Sequence, residues 1–408
     1  MITFIRKVKS SIGPGWIIAA ACLGPGSITT SSKIGAEFGY EFLWVIVAAS
    51  LGMGIFMTMA ARYGVSNSDS LLQSISIEYG RWFAAIIGIS AFMTSMSFQF
   101  GNNLGGATAL EAITGINDTT WPLVITPVGL ILIFFAKSLY KVVEKLMIVL
   151  AMMMVLAFIT NLFFTKPDLA GIPLGFLPNS IPENAFSEMI ALVGTTFVLH
   201  ACLYQAYLVQ DKGWKLADLK KGSSDSLVGI IILGGVSAIV IITAGAALHP
   251  FGITIKSAAD MAIQLEALFG PYAKYIFSVG LFAAAFSSLL VSAMIGGSLI
   301  SDGLGLGRSL RQNGPRIFAT IIMLVGMCIA VFFRGDVVYA IVLAQASSML
   351  AVPTIAIGMI LILNNKKVMG DLRNNLWHNI LAVFGIVLIL VMVYNLYQKI
   401  ITFLKVTS

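Results

Sequence analysis

Leu23-Gly24-Pro25-Gly26-Ser27-Ile28-Thr29-Thr30-Ser31-Ser32 falls inside the first apolar stretch of the chain, residues 14–32. Proline removes a backbone donor and clashes with the preceding turn. Two flanking glycines disfavour helix further. The reading is an unwound break near the middle of a membrane helix, between a first half-helix and a second whose opening turn is rich in hydroxyls. Non-helical backbone at that depth is tolerated only inside protein or against a water-filled cavity. Discontinuous helices of this kind form substrate sites in transporters with inverted repeats. The competing reading is a simple kink, which needs less than two glycines and a proline.

The composition around that stretch is equally one-sided. The 408 residues are 58% hydrophobic and only 11% charged, against about 25% charged in an ordinary soluble domain. A soluble enzyme, a nucleic-acid binder and a disordered chain are excluded on that ground. The 39 glycines and 19 methionines suit packed membrane helices, where small residues let backbones approach. Cys22, Cys202 and Cys328 all lie in apolar stretches, with neither disulfide nor zinc-ribbon spacing. Met1 to Ser10 is short and basic and shows no cleavable signal.

A spanning helix needs about 20 apolar residues. Eleven stretches qualify without Asp, Glu, Lys or Arg: about 14–32, 42–61, 83–110, 121–136, 146–165, 189–210, 226–248, 275–300, 317–333, 338–363 and 376–397. The expected fold class is therefore all-α integral membrane, with 11 transmembrane helices in one domain covering 1–408. With the N-terminus cytoplasmic, 18 of the 25 Lys and Arg residues fall inside, among them Arg6, Lys7, Lys9, Lys137 and Lys141. The net charge of +7 is then a topology signal rather than a sign of nucleic acid. Eleven crossings put the C-terminus outside. The expected location is the plasma membrane, with the bilayer as the one evident partner and no obligate protein partner.

Gly13-Pro14-Gly15, the Gly24-Pro25-Gly26-Ser27 break, Gly39-Tyr40, Leu43-Trp44, Ala60-Ala61-Arg62 and Gly64-Val65 together resemble the natural-resistance-associated macrophage protein (NRAMP) family. Gly194 to Val209, Ser287-Ser288, Gln345 and Pro353 carry the resemblance through the rest of the chain. It implies the LeuT-type fold: two inverted five-helix repeats (about 10–165 and 186–363) plus an extra helix at 376–397, with helices 1 and 6 broken at the substrate site. Family members are mostly proton-coupled importers of manganese and iron, and this chain departs from them at the residues for that chemistry. The family's Asp-Pro-Gly-Asn motif in helix 1 has Gly24 and Ser27 at its metal-binding positions. The Met-Pro-His motif of helix 6 reads Val198-Leu199-His200, and a later histidine is Gln205. The helix 3 acids linked to proton movement align with Gln99 and Asn102, and an acid after the break is Ser31. Gln345, near the metal in the family, is retained.

Losing the sole carboxylate should cripple binding of a dehydrated divalent ion. At an effective dielectric of about 20, one charge pair at about 4 Å is worth about 4 kcal/mol, and a divalent ion doubles it. The expectation is a secondary-active ion transporter working by alternating access, not an enzyme and without cofactor. The favoured cargo is a small inorganic anion such as bicarbonate, held by the N-termini of the broken helices, by hydroxyls and by nearby Lys33. The alternatives are a partly hydrated divalent cation such as magnesium and a neutral or zwitterionic organic solute. A channel or a non-transporting sensor is the rival class.

The expected substrate-binding residues are Gly24, Gly26, Ser27, Thr29, Thr30, Val198, His200 and Gln345. His200, Gln99, Asn102, Ser287 and Ser288 are candidates for coupling to a proton or sodium. Each has a plainer reading: hydroxyls bond back to carbonyls, an imidazole can sit neutral against a neighbour, and amides can join helices. Cys22, Cys202 and His200 would form a metal site only if a soft metal were carried.

Overall fold

Proline at the first position of a helix is favoured, because its missing N–H has no intrahelical partner there. The chain uses this twice at its start. In the computed structural model, which describes residues 13–135, 137–178, 182 and 185–407, α1 (Pro14–Cys22) and α2 (Pro25–Phe38) each open on proline and are separated by Leu23 and Gly24. Arg6, Lys7 and Lys9 lie outside the described residues, as do the side chains of Lys137 and Lys141.

The remaining helices follow the expected stretches: α3 (Leu43–Ser66), a short α4 (Leu71–Tyr79), α5 (Arg81–Thr114), α6 (Pro122–Phe134), α7 (Lys137–Thr165), α8 (Phe186–Thr196), α9 (Leu199–Asp211), α10 (Leu219–Ala247), α11 (Ala273–Gly303), α12 (Asn313–Phe332), α13 (Val337–Ser348), α14 (Val352–Asn364) and α15 (Leu376–Thr407). No strand occurs among the described residues. Nine helices among them are long and apolar enough to cross a bilayer, and the Asp118–Phe134 stretch is apolar but shorter. The first crossing is divided into two short helices, so length alone does not return eleven.

Several helices run past the expected apolar limits and carry charge at their ends. α2 includes Lys33 and Glu37, α8 includes Glu188, and α11 includes Asp302. The buried Asp302 carboxylate accepts hydrogen bonds from Ser70 and from Tyr207, both at 2.5 Å. This ties α11 to the N-cap of α4 and to α9.

α5 and α11 form the most extensive helix pair. Small residues allow it: Gly88 faces the Leu299 carbonyl, Gly296 faces Ser95, and Gly303 faces Ala84. On the opposite side α10 packs against α1, α2 and α3. Beyond α10, α1 meets α9 and α11, and α2 meets α8, α13, α5 and, less extensively, α11.

α8 and α9 are also separated, at Phe197 and Val198, although no proline stands there. Val198 turns its carbonyl to the N–H groups of Ala201 and Cys202, both at 3.1 Å, and so begins a new helix. The run Thr195-Thr196-Phe197-Val198 consists of β-branched and aromatic residues with weak helix preference. Packing completes the break. The Phe197 ring is buried against Phe56 (centroids 5.6 Å apart) in a space left open by Gly52 and Gly385. Phe197→Ala should empty this pocket and cost about 3–5 kcal/mol, read as a lower unfolding midpoint in detergent. An unchanged midpoint would show that the break does not depend on the ring.

Candidate functional site

The site is built on one face of α5. Phe98, Gly101, Asn102 and Gly105 recur at helical spacing, so they line a single stripe. Each meets a different element. Phe98 stands edge-on to the His200 ring of α9, with centroids 5.4 Å apart. Gly101 lies under the Gln345 side chain of α13. Asn102 reaches the break at Gly24, and Gly105 receives the Pro25 ring. A Cβ on Gly24 would stand 2.8 Å from Ser288 Oγ and 3.2 Å from Asn102 Oδ1, so α11 and α5 both present polar groups to the unwound backbone. Gly26 is as close to the Gln345 amide, which therefore spans α2 and α5.

Polar atoms of these elements are buried and short of partners. Thr29, Thr30 and Ser31 hydroxyls, Asn102 Nδ2, His200 Nδ1, Ser288 Oγ and Gln345 Oε1 have no hydrogen-bond partner within the chain. Buried groups of this kind are costly unless something pairs with them. They are neutral dipoles: amides, hydroxyls and one imidazole. Among the described residues no group of three or more His, Cys, Asp or Glu side chains is placed to hold a metal. Cys202 faces Met53 Sδ at 2.9 Å, and the Cys22, Cys202 and His200 trio gains no support as a soft-metal site.

The expected residues separate into those that meet the break and those that do not. Gly24, Gly26, Asn102, Ser288, His200 and Gln345 are brought together around the α5 stripe. Ser27 is instead bonded to Ser237 at 3.2 Å. Ser237 directs its own proton to the Leu233 carbonyl at 3.1 Å, so Ser27 is the donor and its hydroxyl proton is engaged. Ser287 turns the other way and lines an apolar cavity of about 410 Å³ beside Leu23, Ile28 and Met154. Gln99 packs its stem on Gly326 of α12. Neighbouring Asn103 is helix glue, bonded to the Gln99 carbonyl (3.0 Å) and to Thr126 (2.9 Å). Gln205 donates to Ser226 at 3.1 Å. Lys33 is not available to a cargo: its ammonium pairs with Glu188 at 3.1 Å and with Glu37 at 3.8 Å.

Phe98, Gly101 and Gly105 were not among the expected site residues. Their signal is the 3–4–7 spacing around Asn102, which reads equally well as a packing stripe until the partners are known.

A family model described as natural resistance-associated macrophage protein-like matches residues 15–399. The chain belongs to the NRAMP family. It is similar to the divalent metal cation transporter MntH of Klebsiella pneumoniae, with 25% identity over 91% of this chain and 90% of the relative. Its fold is that of a solved manganese transporter from Eremococcus coleocola, with a TM-score of 0.76, 19% identity, and 97% of this chain and 87% of that one covered. A nucleobase-cation-symport-1 family transporter in a closed conformation shares it more distantly, with a TM-score of 0.63, 13% identity, and 95% of this chain and 92% of that one covered. The NRAMP-family chain is thus a multi-pass membrane transporter of LeuT-type fold with discontinuous first and sixth helices. The anion expectation finds no support among these relatives, and the divalent-cation alternative fits them better.

Gln345→Leu keeps the side chain's bulk and removes its amide. Transport should fall about tenfold, the worth of one lost polar contact of about 1.4 kcal/mol, with the unfolding midpoint unchanged. Wild-type flux in this variant would remove Gln345 from the site.

Proposed function

We propose that this chain is a secondary transporter of a divalent metal cation carried with part of its water shell, magnesium-like rather than a stripped transition metal. The carrying observation is the set of buried, uncharged and unpartnered groups around the break, with Asn102 and Ser288 at Gly24, Gln345 at Gly26 and His200 against Phe98, in a family whose named relatives transport divalent metals. Magnesium gives up its waters reluctantly and usually keeps several of them. Amide and hydroxyl oxygens solvate such a hydrated ion without requiring the missing carboxylate. Gly24, Gly26, Thr29, Thr30 and Val198 complete the proposed site with backbone and hydroxyl groups. Coupling to a proton falls to His200, an ionisable group at membrane depth, and coupling to sodium to Ser288. The proposed setting is the plasma membrane, with the N-terminus cytoplasmic and the C-terminus outside.

A small anion such as bicarbonate is the second reading. Its supporting observation is the N-terminus of α2, which opens at Gly24 with no acidic residue in its first turn. Two other observations weigh against it. Lys33 is neutralised by Glu188 and Glu37, and the Ser27 proton is engaged by Ser237.

Flux of magnesium, manganese and bicarbonate into sealed proteoliposomes, measured side by side, decides between the readings. Saturable magnesium uptake above manganese uptake is expected. Bicarbonate flux with no divalent uptake would establish the second reading instead. A carboxylate at position 24 is a further discriminator, but its Cβ would crowd Ser288, 2.8 Å away. It is therefore introduced as Gly24→Asp with Ser288→Gly and compared with Ser288→Gly alone. Relative to that single variant, the added carboxylate should retain or raise cation transport and should abolish anion transport.

A further inference from the structure

We propose that the chain holds the phosphate of an anionic phospholipid in a basic cavity between the end of α9, the start of α12 and the 304–312 connection that joins α11 to α12. The cavity measures about 450 Å³ and is lined by Arg308, Arg311 and Arg316 together with Tyr204, Tyr207 and Asp211. Arg308 also lines a neighbouring cavity of about 630 Å³, which Lys215 shares and no acid enters. Four basic side chains therefore face two adjoining cavities against one lining carboxylate, that of Asp211. The Tyr207 hydroxyl is committed to Asp302, and the ring stacks on Tyr204 with centroids 5.4 Å apart, which gives the smaller cavity a fixed wall.

Two of the arginines are held in place by neutral groups. Arg308 Nη1 donates to Gln210 Oε1 at 2.6 Å, and Gln210 Nε2 in turn donates to the Asn67 and Asp69 carbonyls at 2.9 and 2.8 Å. Arg316 Nη2 donates to the Phe134 carbonyl at 3.2 Å, with its guanidinium 5.1 Å from the centroid of the Phe134 ring. Arg311 is exposed and makes no side-chain hydrogen bond among the described residues. The ion pairs among those residues are made by Lys33, so no carboxylate, Asp211 included, neutralises the three guanidinium groups by contact. Positioned, uncompensated arginines suit phosphate, whose oxygens match the guanidinium fork. The surroundings select a lipid over a soluble phosphate. Leu304 and Leu306 on the same connection are 39% and 55% exposed, and Phe135 at the end of α6 is 82% exposed. Such apolar groups beside charge belong at the bilayer boundary, where headgroups lie. Basic pockets between spanning helices on the cytoplasmic side take anionic headgroups, and the proposed topology puts this cavity on that side.

The inference does not depend on which ion is carried, and its test measures lipid binding rather than flux. The full chain in detergent is titrated with dioleoylphosphatidylglycerol or dioleoylphosphatidylcholine, and bound lipid is counted by native mass spectrometry. Phosphatidylglycerol should bind about tenfold or more tightly than phosphatidylcholine. Arg308→Gln, Arg311→Gln and Arg316→Gln should each lower phosphatidylglycerol affinity about fivefold, the worth of one basic residue against an anionic lipid, and leave phosphatidylcholine binding unchanged. Lys366→Gln removes an exposed positive charge outside the cavity and should have no effect. Equal affinity for the two lipids, or an equal loss in Lys366→Gln, overturns the site in favour of diffuse attraction. Displacement of phosphatidylglycerol by millimolar inorganic phosphate overturns the lipid assignment. Should Arg308→Gln or Arg316→Gln fail to fold, Arg311→Gln breaks no contact within the chain, and unchanged affinity in that variant overturns the proposal by itself.

Discussion

Backbone that leaves the helix inside a membrane must be covered by protein, because hydrocarbon offers it no hydrogen bonds. In this chain one face of α5 provides that cover. Gly105 makes room for the Pro25 ring, Gly101 and Gly26 make room for the Gln345 amide, and Asn102 approaches the unwound backbone at Gly24. These are close approaches in which a larger side chain would push the first helix away from α5. The long contact of α5 with α11, made possible by small residues on both, keeps that face in place and adds Ser288 to it. The burial of the polar groups and the choice of which side chains reach the break follow from this packing.

Charge is distributed with equal economy. At the break itself the gathered groups are dipoles, while formal charges sit at helix ends. At one end Lys33 joins α2 to Glu188 of α8. At the other, Asp302 holds Ser70 and Tyr207. Ionised groups are expensive in a low-dielectric interior unless paired or well hydrogen-bonded, and both clusters meet that condition in part.

An identity of 25% to a divalent metal cation transporter and of 19% to a solved manganese transporter goes with a shared fold. The scaffold persists because its requirements are steric. The sixth crossing shows this: without the family's proline, the chain still unwinds at Phe197 and Val198, where an aromatic ring fills a space bounded by Gly52, Phe56 and Gly385. A break can therefore be held by tertiary packing where the local sequence has only a weak preference for one.

The amino-acid sequence by itself determined the membrane class, the apolar segments and the first break, because hydrophobic length and the Gly24-Pro25-Gly26 punctuation act locally. It also placed Asn102, His200, Ser288 and Gln345 among the candidates. It did not reveal that Ser27 is bonded to Ser237, that Ser287 faces an apolar cavity, or that Lys33 is neutralised by Glu188, 155 positions away. Helix ends were also placed short, since charged residues such as Glu188 and Asp302 look unlike membrane helix until their partners are known. Those features belong to the tertiary structure, because a side chain's partner across helices depends on rotation and crossing of elements far apart in the chain, and no local pattern encodes it.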